Sequence, residues 1–130
     1  MSTRPALTKD QIRDRLQAVS ASLTTTLTAL FASVVDEGVE RNIVAIYIFG
    51  DGTASRTVDL AYGSERTATI FDNVPVGPNE RALLPDGGLD LETPIVVLAG
   101  GENIRGSQNA GSGVTVTLIF WDTEAWSTVT

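Results

Sequence analysis

Apolar residues recur along this chain in different rhythms, and each rhythm predicts a different element. Near the start, Ile12, Leu16 and Val19 fall at helical spacing behind Thr8-Lys9-Asp10-Gln11, where a hydroxyl residue is followed three positions later by Gln in the form of a capping box. The spacing predicts a short amphipathic helix from about Thr8 to Val19. The same rhythm runs on through Leu23, Leu27, Leu30 and Val34, which would give one long helix ending before Gly38. Against that stand the β-branched run Thr24-Thr25-Thr26 and the fit of Leu23, Leu27, Phe31 and Val35 to a period of two. The reading favoured is helix first and strand second, with residues 22–35 open between a strand and a continuation of the helix.

From Asn42 to Phe49 the chain is apolar at successive positions, which predicts a central strand with both faces covered. In so short a chain the second face would be covered by the N-terminal helix or by a neighbouring subunit. Arg56, Val58, Leu60 and Tyr62 then alternate with Ser55, Thr57, Asp59 and Ala61, as in a half-buried strand. A turn at Gly63-Ser64-Glu65 leads into a strand from Arg66 to Asp72, and a hairpin is the natural pairing. Pro75, Gly77, Pro78, Pro85, Gly87 and Gly88 mark a long connection, with a short strand at Arg81-Ala82-Leu83-Leu84. A strand over Thr93 to Ala99, a turn at Gly100-Gly101, a return strand near Glu102 to Arg105, a loop and a last strand from Val114 to Trp121 complete the reading. Seven or so short strands between Gly/Pro turns predict an all-β fold, an antiparallel β-sandwich or jelly roll with a short N-terminal amphipathic helix. The domain boundaries expected are an arm and helix over 1–21 and a sandwich over 22–130.

Composition narrows the chemistry. The chain has 130 residues with neither Cys nor His, so zinc sites built on those ligands, thiol nucleophiles, Ser-His-Asp triads and imidazole bases are all excluded. Lys9 is the one lysine, placed in the N-terminal arm and poorly suited to Schiff-base work. A net charge of −7 argues against nucleic acid, whose phosphates are bound by Lys and Arg. No apolar run reaches the roughly 20 residues a bilayer span needs, and Met1-Ser2-Thr3-Arg4-Pro5 lacks the apolar region of a signal peptide. The expectation is a non-enzymatic protein without cofactor, membrane or nucleic-acid partner, made in a cytoplasm.

A resemblance rests on Leu23-Thr24-Thr25-Thr26, Asp36-Glu37-Gly38, the strand from Asn42 to Gly50, and Leu98-Ala99-Gly100-Gly101-Glu102-Asn103-Ile104-Arg105-Gly106 followed by Gly113-Val114-Thr115-Val116-Thr117. These segments, spread over residues 22 to 122, make the chain similar to the small β-sandwich accessory virion proteins of tailed bacteriophages. The chain departs from that pattern in the doubled Gly100-Gly101 before Glu102, the added N-terminal helix and the Trp-containing tail. The resemblance implies a structural protein of the virion. It would act as a capsid decoration (cement) protein, or as a neck or tail component, forming a homo-oligomer such as a trimer, in contact with proteins such as the major capsid protein.

Candidate site residues are therefore interface residues. Ile12, Leu16 and Val19 belong to a helix too short to stand alone in water and must dock on something. Trp126 lies in a polar tail and is read as an intersubunit contact, while Trp121 continues an apolar strand and suits a core. Tryptophan and loop carboxylates also admit a carbohydrate-binding adsorption module. Side-by-side exposed rings would favour sugar, and a flat apolar patch rimmed by charge would favour assembly. Asp86, Asp90 and Glu92 lack the alternating pattern of a calcium loop and read as turn carboxylates. Nothing in the spacing of Asp51 and Asp59, or of Asp72 and Glu80, sets up a paired acid and base. Gly100-Gly101 and Gly111-Ser112-Gly113 read as hairpin turns, and Arg105 as a strand-end arginine paired with a carboxylate.

Overall fold

The protein is described from a computed structural model, which covers residues 7–50, 55–63, 68–77, 81–84, 91, 93–109 and 113–124. Its first element is the expected helix, α1, at Lys9–Asp14. Thr8 Oγ1 accepts from Gln11 N at 3.2 Å and Gln11 Oε1 accepts from Thr8 N at 2.8 Å, so both halves of the capping box are closed.

The helix ends earlier than its apolar spacing predicts. Gln17–Ser22 forms strand β1, antiparallel to the last strand with Val19 opposite Leu118. Six residues of helix have little intrinsic stability. A strand from Gln17 gives its backbone a ladder and sets Val19 and Ala21 against the core, which outweighs another helical turn. The expected boundary at 21/22 thus runs through β1. Residues 22–35 are neither a continued helix nor a full strand. After Ser22, which ends β1, they hold only β2, Thr28–Ala29, because the threonines bond locally: Thr24 Oγ1 accepts from Thr26 N at 3.3 Å and Thr28 Oγ1 donates to Thr26 O at 2.8 Å.

The remaining strands are β3 (Val39–Gly50), β4 (Arg56–Gly63), β5 (Ala68–Val76), β6 (Arg81–Leu84), β7 (Val96–Leu98), β8 (Asn103–Gln108) and β9 (Val114–Glu124). They form two antiparallel sheets, an all-β sandwich. The first has the order β1-β9-β3-β6 with β7 also on β3, and the second the order β2-β8-β4-β5. The core between them takes Ile43, Ile46 and Ile48 of β3 and Val114, Val116, Leu118 and Phe120 of β9 from one side. Val58 and Leu60 of β4, Val76 of β5 and Ile104 of β8 meet them from the other.

The Gly100-Gly101 turn does not close a hairpin, since β7 belongs to the first sheet and β8 to the second. The chain crosses between sheets there, bound to the 35–36 loop by Gly101 N donating to Val35 O at 2.7 Å and Val35 N to Glu102 O at 2.9 Å. Gly101 has φ +84 and a Cβ on Gly100 would lie 3.0 Å from Glu37 Cα, so both glycines are required by the crossover.

Candidate interaction surface

The first sheet has an outer face as well as a core face, and its two halves differ. A bulge between Ile43 and Ala45 lets Val44 point outward while Ile46 and Ile48 return to the core. Val44, Trp121 and Ile12 form a second apolar cluster, with Leu7, Leu16, Leu91 and Ile119 packed around it. The helix therefore docks on its own sheet. Trp121 is buried under it, and its Nε1 donates to Leu91 O at 3.2 Å.

This placement settles where the sequence candidates stand. Ile12 is 2% exposed and held inside the chain, and Leu16 borders the same cluster. Val19 packs at the rim of the main core from β1. The three do not share one face. Trp126 lies outside the described residues, as do Asp51, Glu80, Asp86, Asp90, Glu92, Gly111 and Ser112. Asp59 and Arg105 lie in β4 and β8.

Among the described residues no helix lies over the other half of the outer face. The register sets Tyr47 beside Thr117 and Phe49 beside Thr115. Tyr47 is 41% and Phe49 38% exposed, unlike Ile43 to Ile46 earlier in the same strand. With Ala18, Ile48, Arg81, Thr117 and Ile119 they line a groove of about 320 Å³. The Arg81 guanidinium lies 5.5 Å from the Phe49 ring centroid, within cation–π range. Arg81 is the one charged residue among the described lining, in a chain whose net charge is −7. The groove thus offers aromatic faces and a positive charge to a neutral or acidic partner. The uninterrupted apolar run of Ile43 to Phe49 signals a second face needing cover. It does not single out Tyr47 and Phe49, because the uncovered stretch depends on how short α1 is.

A second concavity, about 520 Å³, lies at the far end of the sandwich, lined by Arg15, Phe31, Val34, Asp36, Arg41 and Asp122 among others. Its wall is rigid. Arg41 Nε and Nη2 donate to the two Asp122 carboxylate oxygens at 2.8 and 2.9 Å. The guanidinium also sits 4.5 Å from the Phe31 centroid and 4.6 Å from that of Phe120, in the corner made by two rings crossed at 83°. Both charged groups satisfy each other, so the arrangement is a strut joining β3, β9 and the 30–36 loop. Arg41→Met is expected to cost about 1–2 kcal/mol, a partly exposed charge-assisted pair, and to lower the thermal midpoint accordingly. An unchanged midpoint would show that the pair contributes nothing.

Among the described residues no three His, Cys, Asp or Glu side chains gather as a metal site would need, and no helix is long and apolar enough to cross a membrane. The chain matches no model of a known protein family and no curated protein.

Proposed function

We propose that this is a non-enzymatic structural protein of a tailed-phage virion, a capsid decoration (cement) protein that works as a homo-oligomer in contact with the major capsid protein. It would be made in the host cytoplasm and reside in the virion, with no nucleic-acid or membrane partner. The observation that carries the reading is the half-covered outer face of the first sheet: α1 seals Val44 and Trp121, while Tyr47 and Phe49 stay open beside Arg81. Apolar rings exposed on a rigid strand with one stacked arginine are the residue types enriched at protein interfaces. The resemblance of the turn and strand motifs to phage accessory proteins supplies the setting.

A second reading, a glycan-binding module of a neck, tail or adsorption structure, is favoured by one feature. Tyr47 and Phe49 are two positions apart on one strand, so they share its outer face with backbone positions about 7 Å apart, and both are exposed where a sugar ring could stack. Co-sedimentation with capsids stripped of accessory proteins separates the two readings. Decoration predicts binding at a fixed ratio of copies to capsid and no hit on a glycan array. Glycan hits without capsid binding would replace the first reading with the second.

A further inference from the structure

Each described edge of the sandwich carries a device against pairing with another chain, except one. β2 is two residues long and β7 three, β5 contains Pro75, and β6 opens with Arg81. Short length, charge and proline all discourage strand addition. β1, Gln-Ala-Val-Ser-Ala-Ser over Gln17–Ser22, has none of these, and it stands at the end of its sheet in the described order.

The ladder fixes which of its backbone groups are open. Leu23 N donates to Val114 O at 2.9 Å, continuing the register that runs from Gln17↔Phe120 to Ser22↔Thr115. Antiparallel residues alternate in the side to which they bond. Gln17, Val19 and Ala21 therefore bond to β9, while Ala18, Ser20 and Ser22 direct N–H and C=O away from the sheet.

We infer that β1 pairs antiparallel with β1 of a second copy of this chain, across a two-fold axis at Ser20, joining the two first sheets into one continuous sheet. The inference deepens the self-association in the proposed function and rests on that part of it, but its test needs no capsid.

The occupant follows from self-complementarity. An axis at Ser20 sets Ser20 opposite Ser20 of the second copy and Ala18 opposite its Ser22, so all three outward residues find partners, with about six inter-chain hydrogen bonds. Val19 then lies opposite Ala21 of the second copy on the core face, and these half-buried residues, already at the rim of the core, become covered. Shifting the axis to Val19 would set Ser22 against Leu16, whose N–H is already donated to Arg13 O at 3.3 Å. Charge favours the same meeting line. Two copies of a −7 chain repel, and Gln17–Ser22 is an uncharged stretch along which they can meet. An isologous contact of this kind closes at two copies.

Light scattering on the full chain at about 100 µM is expected to give twice the 13.8 kDa chain mass. Ser20→Pro removes an outward donor while leaving the β9 ladder bonded, and is expected to give a monomer. Ser20→Lys, which keeps the backbone donor and opposes two like charges on the axis, should also dissociate the pair. Circular dichroism checks that each variant retains its strands, so that if the proline variant misfolds the lysine variant decides. Because the chain has no cysteine, Ser20→Cys should be joined to its own copy by a short bis-maleimide linker, and Thr28→Cys on β2 should not. A monomeric or trimeric wild type, or a dimer indifferent to both Ser20→Pro and Ser20→Lys, would overturn the pairing. A dimer that ignores capsids would leave it standing and remove the decoration reading alone.

Discussion

Asn103→Ala is expected to lower stability by about 2–4 kcal/mol, on the order of 10 °C in thermal midpoint for a domain of this size. The residue is 3% exposed on β8, where its side chain does the work of a missing strand for the 30–36 loop. Oδ1 accepts from Phe31 N at 3.3 Å and Ile104 N at 2.8 Å, and Nδ2 donates to Phe31 O at 3.1 Å. Alanine leaves both backbone groups of Phe31 buried without these partners, and a buried amide left unmade costs more than the bond itself contributes. The loss should spread, since Phe31 forms one wall of the corner that holds Arg41. Urea unfolding with an unchanged slope and a lower midpoint is the expected result. A loss under about 0.5 kcal/mol would mean that the loop is held by its apolar residues Leu30, Phe31 and Val35 and by its backbone bonds to Ile104, Gly101 and Glu102, without help from Asn103.

The second large effect is a pair of opposite packing errors that correct each other. Leu60, fully buried at the centre of the second sheet, sits against Gly106 of β8. A Cβ on Gly106 would lie 2.8 Å from Leu60 Cδ2 and 2.8 Å from Leu23 Cδ2. Leu60→Ala opens a cavity and should cost about 2–5 kcal/mol. Gly106→Ala overfills the same place and should cost about 1–3 kcal/mol. In the double variant the alanine methyl enters space that Leu60 vacated, so its cost should fall short of the sum by about 1 kcal/mol, with Leu23 limiting the relief. Additive losses would show that the two sites do not share that volume.

These two sites also mark how far the fold could be read from sequence. The sandwich, the capping box, the central strand, and the short strand Arg81–Leu84 were legible because each depends on neighbours along the chain: a period of two, a hydroxyl three residues before Gln, turn residues at strand ends. The end of α1 was not, because Leu16 and Val19 keep a helical spacing whichever element they join, and the choice is made by β9, about a hundred positions away. Nor was the crossover at Gly100-Gly101 legible, since a glycine pair looks the same in a hairpin and in a step between sheets. It is the 35–36 loop that decides. For the surface, the apolar run through Phe49 announced that something must cover β3. Which part stays open follows from the six-residue length of α1, fixed by tertiary contacts that no local pattern records. Ile12 was expected at an interface and lies instead in the chain's own second cluster, the position that leaves Tyr47 and Phe49 as the exposed pair.

The central claim is that this open half of the first sheet is the surface through which the protein binds. The most direct measurement is the amount of protein that co-sediments with capsids lacking accessory proteins, compared between wild type and the Tyr47→Ser/Phe49→Ser double variant. Both rings are about two-fifths exposed, so the variant should keep its fold, which circular dichroism checks, at a cost of about 2–3 kcal/mol in stability from the lost buried ring area. Saturable binding by wild type and a loss of at least about tenfold in the variant are expected, the effect of removing two aromatic anchors. Equal binding by the two proteins, or no binding by wild type, would contradict that claim.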